Sequence, residues 1–424
     1  MTPMPPSSSP APAAGDQPCC TEFAQLSRRS VLGGGLALGA ATVIGSSVVT
    51  ASPAAAASAS SILVVLSLRG AADGLSLVVP HADPTYYSAR PRIAIPSDAL
   101  LRKDATFGLH PELSGLTGLW DAGELAVVHG TGLPARNRSH FAAMEEVEDA
   151  NPGSDVREGW LNRLLGTLPG QSPLQGFNLS EGVVPTSLYG RQPVMSAGEV
   201  DRVQFSGAQG DDARRRVASL HKMWDGQRGP LGRAMRTTFG AVSSFGPAER
   251  AADNTASYPG TDLGKSLAEV ARIIRGDVGV GVVTVDQGDW DHHSGLGTLE
   301  WGAMRLQARE LAGAIAAFFD DLGAQRSKVT LVAFSEFGRR VKENASWGLD
   351  HGYGNVMFLA GAGVRGGQYY GTMPRLDGGE DADVPVTTDY RSVLSEIVTT
   401  RFGVSRARVF PGFQPESVGV MRGA

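Results

Sequence analysis

Cysteine is nearly absent: of 424 residues, only Cys19 and Cys20 carry a thiol. Both precede an apolar stretch that reads as a removable leader. The mature chain then has no disulfide and no thiolate for a metal, so any ion must be held by His, Asp, Glu or hydroxyl groups. Charged residues make up 19% and aromatics 7%. No basic stripe and no aromatic-basic alternation is present, which excludes nucleic acid as a natural partner. Histidine is scarce too, at eight residues, whereas glycine is abundant, at 55, and points to many tight loops.

The N-terminus reads as processing sequence. Residues 1–26 are rich in Pro, Ser and Ala without an apolar period, so disorder is expected there. In the following SRRSVLGGGLALGAATVIGSSVVTASPAAAASAS, Arg28 and Arg29 precede a Gly- and Ala-rich apolar segment that ends in small residues. That order marks a twin-arginine export signal. Residues 31–49 are close to the minimum length of a membrane span, but their small residues make an uncleaved anchor the poorer reading. Cleavage is expected at Ala57 to Ala59, leaving no stable span and an extracytoplasmic protein in periplasm, envelope or medium. The remainder, residues 60–424, suits one large domain. It stays mildly acidic, because the four leader charges Asp16, Glu22, Arg28 and Arg29 cancel within a net charge of -5.

Five continuous apolar runs predict buried strands of a mostly parallel sheet: ILVVLSL (62–68), ELAVVHG (124–130), VGVVTV (280–285), KVTLVAFS (328–335) and VMFLAGAG (356–363). Helical patterns stand beside them, in SHFAAMEEVEDA from Ser139, in AMRLQARELAGAIAAFFDDLG (303–323) and in TTDYRSVLSEIVTTRFG (387–403). The alternation predicts an α/β fold with helices on both faces of the sheet. Between about 153 and 277 the pattern weakens, and a loop-rich insertion or cap is expected.

Ligands of open α/β sheets gather beyond the carboxyl ends of the strands. The residues there are Asp73 after the first run, Arg138, Ser139 and His140 after the second, DQGDWDHHSG (286–295) after the third and Glu336 after the fourth. Asp350 and His351 stand before the fifth. Each has an ordinary alternative: Asp73 as a turn residue, Ser139 as a helix cap, Glu336 in a surface ion pair with Arg339 or Arg340. Packing alone, however, does not call for Asp289, Asp291, His292 and His293 together. A divalent ion does, since carboxylate and neutral imidazole are its usual ligands without thiolate. Ser139 at a helix start and Arg138 beside it could then handle an anion.

The succession ADGL, HPELSGLTGLWDAGELAVVHGTG, NRSHF, DWDHH, FSEFGRR and DHG resembles the twin-arginine-exported family called domain of unknown function 1501. That family is similar in turn to the alkaline phosphatase and sulfatase superfamily. The resemblance implies an alkaline phosphatase-like fold, with Asp73 as first-strand metal ligand and Ser139 as nucleophile. Asp291 and His293 would be the mid-chain ligands and His351 the final one. Glu336 with Asp73 would serve a second ion, while Asp289, His292 and Asp350 are further ligand candidates. Two departures stand out. Glu336 and Phe337 replace the superfamily's late Asp-His pair, and the Cys/Ser-x-Pro-x-Arg signature of sulfatases is missing.

The expectation is therefore a metal-dependent hydrolase of phosphate or sulfate esters, small or polymeric. It would hold one or two ions of Zn, Mg, Ca or Mn and work with a dedicated exported protein partner. The alternative is a non-catalytic, metal-stabilised protein that binds a surface polymer or a partner.

Overall fold

The computed structural model describes residues 42–44, 47–49, 58–170, 172–205 and 210–423. The disordered segment and most of the leader expected from the sequence lie outside these residues. All that follows concerns the compact unit from Ala41 onward.

In chain order the strands are β1 Thr42–Ile44, β2 Ser47–Val49, β3 Ile62–Leu68, β4 Val78–Val79, β5 Gly108–Leu109, β6 Leu125–Gly132 and β7 Gly176–Leu179. Then come β8 Met195–Ala197, β9 Val282–Gln287, β10 Val329–Phe334, β11 Asn355–Gly361, β12 Gln368–Tyr370 and β13 Thr388–Asp389. β4 and β5 form a small separate antiparallel sheet. The others build one sheet in the order β1-β2-β8-β7-β9-β3-β10-β11-β6-β12, with β13 also beside β6.

The five apolar runs are the five central strands. β3 lies parallel between β9 and β10. β11 is antiparallel to both of its neighbours, β10 and β6, which corrects the simplest parallel expectation for the fifth run. A consequence for the site follows at once. The carboxyl ends of β3, β6, β9 and β10 and the amino end of β11 all open on the same rim of the sheet.

Alternation within β3 shows why these runs are continuous in apolar character. Ile62, Val64, Leu66 and Leu68 join one hydrophobic cluster, Leu63 and Val65 another. Both faces are covered, and each fully buried aliphatic side chain contributes roughly 1.5–3 kcal/mol. One face receives the helices Asp262–Arg275 and Ala303–Asp321, which bury Leu267, Val270 and Ile274, and Leu311, Ile315 and Phe318. The other face receives His140–Asp149, Trp160–Leu165 and Tyr390–Phe402. Caps set the ends of the last helix: the Asp389 carboxylate accepts the Arg391 N–H, and Gly403 takes the left-handed conformation at φ 64.

The stretch 153–277, expected as a cap, contributes β7 and β8 to one flank of the sheet, with the helix Asp262–Arg275 packed beneath. Beyond β8 the sheet continues into β2 and β1, which fall within the proposed leader. Among the described residues no helix is long and apolar enough to cross a membrane.

Candidate metal centre

The common rim brings four loops together. β3 ends in Arg69 and Gly70, and the Arg69 carbonyl accepts the Trp290 N–H at 3.1 Å. Gly70 has φ 108, and a Cβ there would stand 2.6 Å from the Asp291 nitrogen, so glycine permits the approach that seats Asp291. From β6 the chain passes through Arg138 into the helix that starts at His140. β10 runs out into Ser335, Glu336 and Arg339, and His351 lies shortly before β11.

Three imidazoles and one carboxylate meet there. His140 Nε2 is 2.9 Å from His351 Nε2, and His293 Nε2 is 2.9 Å from the same atom. Asp291 Oδ1 lies 3.1 Å from His293 Nε2, 3.5 Å from His351 Nε2 and 3.6 Å from His140 Nε2. His140, Asp291 and His351 form a group that can hold a metal ion, with one ligand atom from each lying within 4.8 Å of the others. His293 stands against two of the three.

The outer nitrogens decide where the protons are. His351 Nδ1 faces the Arg138 carbonyl at 2.9 Å. A carbonyl only accepts, so Nδ1 carries the proton and the neutral ring presents a lone pair at Nε2. His140 Nδ1 faces Glu336 Oε1 at 2.8 Å, and His293 Nδ1 faces Asp350 Oδ1 at 3.4 Å. The same logic turns their Nε2 lone pairs inward. Lone pairs 2.9 Å apart, beside a carboxylate oxygen, repel one another unless positive charge sits among them. Carboxylate or carbonyl behind imidazole is the usual outer support of a metal-bound histidine.

The electrostatics favour positive charge at this point, which a proton on His140 supplies when no ion does. Burial works against the charged form of His140, but Asp291 and Glu336 outweigh it and raise its pKa to about 9. Burial also works against the Asp291 carboxylate, yet contacts from His140, His293, His351 and Arg339 hold it far below the usual carboxylate range. Glu336 is 2% exposed; burial favours its neutral form, but His140 and its hydrogen bonds with the backbone hold its pKa down. Gly70 donates to its Oε1 at 2.9 Å, and Ser335 Oγ donates to its Oε2 at 2.9 Å.

Arg339 ties the rim together. Its buried guanidinium donates to the carbonyls of Ala71 at 2.6 Å, Leu349 at 3.1 Å, Gly70 at 2.5 Å and Trp290 at 3.2 Å. It also donates to Asp291 Oδ1 at 2.6 Å.

A family profile described as "Protein of unknown function (DUF1501)" matches residues 118–414. The chain belongs to that family. Among curated proteins no relative matches. The DUF1501 segment contains His140, Asp291, His293, Glu336, Arg339 and His351, whereas Asp73 lies ahead of it.

The other expected site residues fall variously within this DUF1501 fold. Asp73 is not in the cluster. Arg90 grips it through Nη1–Oδ2 at 2.5 Å and Nη2–Oδ1 at 3.0 Å, and it caps a short helix by accepting the Ser76 N–H at 3.0 Å. Three donors hold it in place away from the cluster, as a helix cap and the partner of Arg90. Glu336 stands one shell out, behind His140. Asp350 does the same behind His293.

Asp289 is exposed in a turn at φ 66. His292 points into the core at 5% exposure, where burial, then Arg339, lower its pKa to about 4. Ser139 occupies the N-cap position without a side-chain cap bond, and its own N–H donates to Asn137 Oδ1 at 3.1 Å. Arg138 pairs with buried Asp383 at 2.5 Å. His140 is the candidate ligand that sequence reasoning passed over. Its signal was position alone, in the first turn of a helix that follows a strand end on this rim.

Proposed function

We propose that this protein is an exported, metal-dependent hydrolase of phosphate or sulfate esters. The observation that carries the reading is the convergence of Nε2 of His140, His293 and His351 on Asp291 Oδ1. One ion fits better than two, because Arg90 and the Ser76 N–H engage Asp73 and three donors occupy Glu336. Imidazole nitrogen with a single carboxylate suits zinc, or a similar borderline ion, better than calcium or magnesium. Such an ion polarises an ester oxygen and stabilises charge on the leaving group.

The chain's own groups do the rest. Ser139, next to His140 and without a capping bond, is the nucleophile: its Oγ bonds to phosphorus or sulfur as the O–P or O–S bond to the alkoxy group breaks, and the hydroxyl proton passes to the departing alcohol. Water then splits the seryl ester and returns the hydroxyl. Arg138 stays 36% exposed beside His351 and meets the non-bridging oxygens. The twin-arginine leader gives an extracytoplasmic site of action, and a dedicated exported partner fits the same setting.

Elemental analysis of the exported protein, joined to a screen of aryl phosphates and aryl sulfates across added metals, tests this reading. About one ion per chain is expected, lost in His351→Ala, with turnover abolished in Ser139→Ala. Bound metal without turnover on any ester would leave the non-catalytic alternative, a metal-stabilised binding protein.

A further inference from the structure

The loops that carry the metal ligands also carry two tryptophans that the metal does not need. Trp301 and Trp347 are 45% and 36% exposed, whereas Trp120, Trp160 and Trp290 are buried. Their rings meet edge to face, with centroids 5.5 Å apart and planes at 64°. The Trp347 loop is fastened to the loop of His293. Gly295 donates to the Ser346 carbonyl at 3.0 Å, Leu349 to the His292 carbonyl at 2.9 Å, and Asn344 Nδ2 to the His293 carbonyl at 2.9 Å. Gly348 makes this contact possible, since a Cβ there would stand 2.3 Å from the His293 carbonyl carbon.

Trp347 is held against its own preferences. Its φ is 58, in the left-handed region where glycine is at ease and a bulky side chain is strained. Burial does not compensate, because more than a third of the residue remains in water. Arg92 lies over the ring at 4.9 Å and is itself anchored to Glu343 at 2.5 Å, so the indole is fixed rather than loose. A strained, fixed and exposed aromatic beside a reactive centre is the pattern of a ligand platform.

The surroundings select the ligand. Ser294, Glu300, Ser346 and Asp350 are exposed and flank the two loops. Hydroxyls and carboxylates pair with sugar hydroxyls, while an indole face takes the C–H face of a pyranose ring. The carboxylates of Glu300 and Asp350 oppose an anionic lipid surface. We propose that Trp301 and Trp347 form a sugar-ring platform on the rim of the metal centre, so that the ester is carried on a carbohydrate. The substrate assignment rests on the hydrolase reading above; the platform itself does not.

Affinity gel electrophoresis of the exported full-length protein separates the two. The gels contain hydroxyethylcellulose, dextran or chondroitin sulfate, and vesicles of phosphatidylglycerol serve as a parallel probe. At least one polysaccharide should retard the native protein. Trp347→Gly relieves the backbone, so the melting temperature should hold or rise while affinity falls at least tenfold. Trp301→Ala should weaken retention similarly.

Retention that persists after chelation, in protein without esterase activity, supports the platform even if the hydrolase reading fails. Retention equal in native and both variant proteins would overturn it. So would an absence of retention on every polysaccharide, or Trp347-dependent binding to vesicles instead.

Discussion

Two aspartates near the same rim each meet a fully buried arginine, and they end in opposite roles. Asp73 and Arg90 are 1% and 0% exposed, joined by two hydrogen bonds, and the carboxylate also caps a helix. Asp291 is 27% exposed and takes one bond from Arg339, whose other donors go to four carbonyls. Asp291 Oδ1 therefore still faces three imidazoles. What separates the structural carboxylate from the candidate ligand here is exposure together with how much acceptor capacity its arginine leaves over.

Mutations can break that contrast, beginning with the largest effect. Asp73→Ala leaves Arg90 charged and unpaired in the interior, and should cost about 3–5 kcal/mol in urea unfolding, with metal content per folded chain unchanged. Loss of metal with stability intact would restore Asp73 to the ligand set. Asp291→Asn should show the reverse: metal affinity lower by more than about 100-fold, beyond the range of an outer-sphere loss, with a smaller stability change because Arg339 keeps its carbonyls.

Glu336→Gln sharpens the comparison, since it alters only the group behind His140. A 10–100-fold weaker affinity by competitive chelation, about 1.4–2.7 kcal/mol, is expected. An effect as large as that of Asp291→Asn would mean that Glu336 touches the ion directly.

The smallest effect at neutral pH concerns two buried histidines outside the cluster. Burial lowers His129 to about 3, and burial above all lowers His110 to about 4. Both are neutral in the fold, and His129 stacks on Phe107 at 3.9 Å. The unfolded chain binds their protons first, near 6.5. Their contribution is therefore complete above that pH and falls as pH drops toward their folded values, by up to about 1.4 kcal/mol per group per pH unit. His129→Phe should flatten the acid limb of a stability profile, and an unchanged limb would show that His129 is already charged in the fold.

Much of this was legible in advance. Continuous runs such as 62–68 and 328–335 announced buried strands because both sheet faces are covered. The same covering hides direction, so nothing in the composition of 356–363 revealed that β11 runs backwards. The flanking strands β7 and β8, four and three residues long, are too short for a periodic signal. At the site, Asp291, His293 and His351 were readable from their places beside strands. Asp73 stands outside the cluster because Arg90, 17 positions on, holds it, a pairing that leaves no local mark in the sequence. His140 was missed because sequence gives the start of a helix but not the direction of an imidazole.

Arg339 has one more consequence, which concerns attraction rather than architecture. Its permanent charge cancels that of Asp291, so a divalent ion would be offset by buried Glu336 behind His140 and by the more exposed Asp350 behind His293. Because Asp350 is 61% exposed and screened by water, the buried side of a loaded centre would keep a residual positive charge, which attracts anions more strongly there than in open water. Neutral esters gain nothing from that field; an incoming group with negative oxygens does.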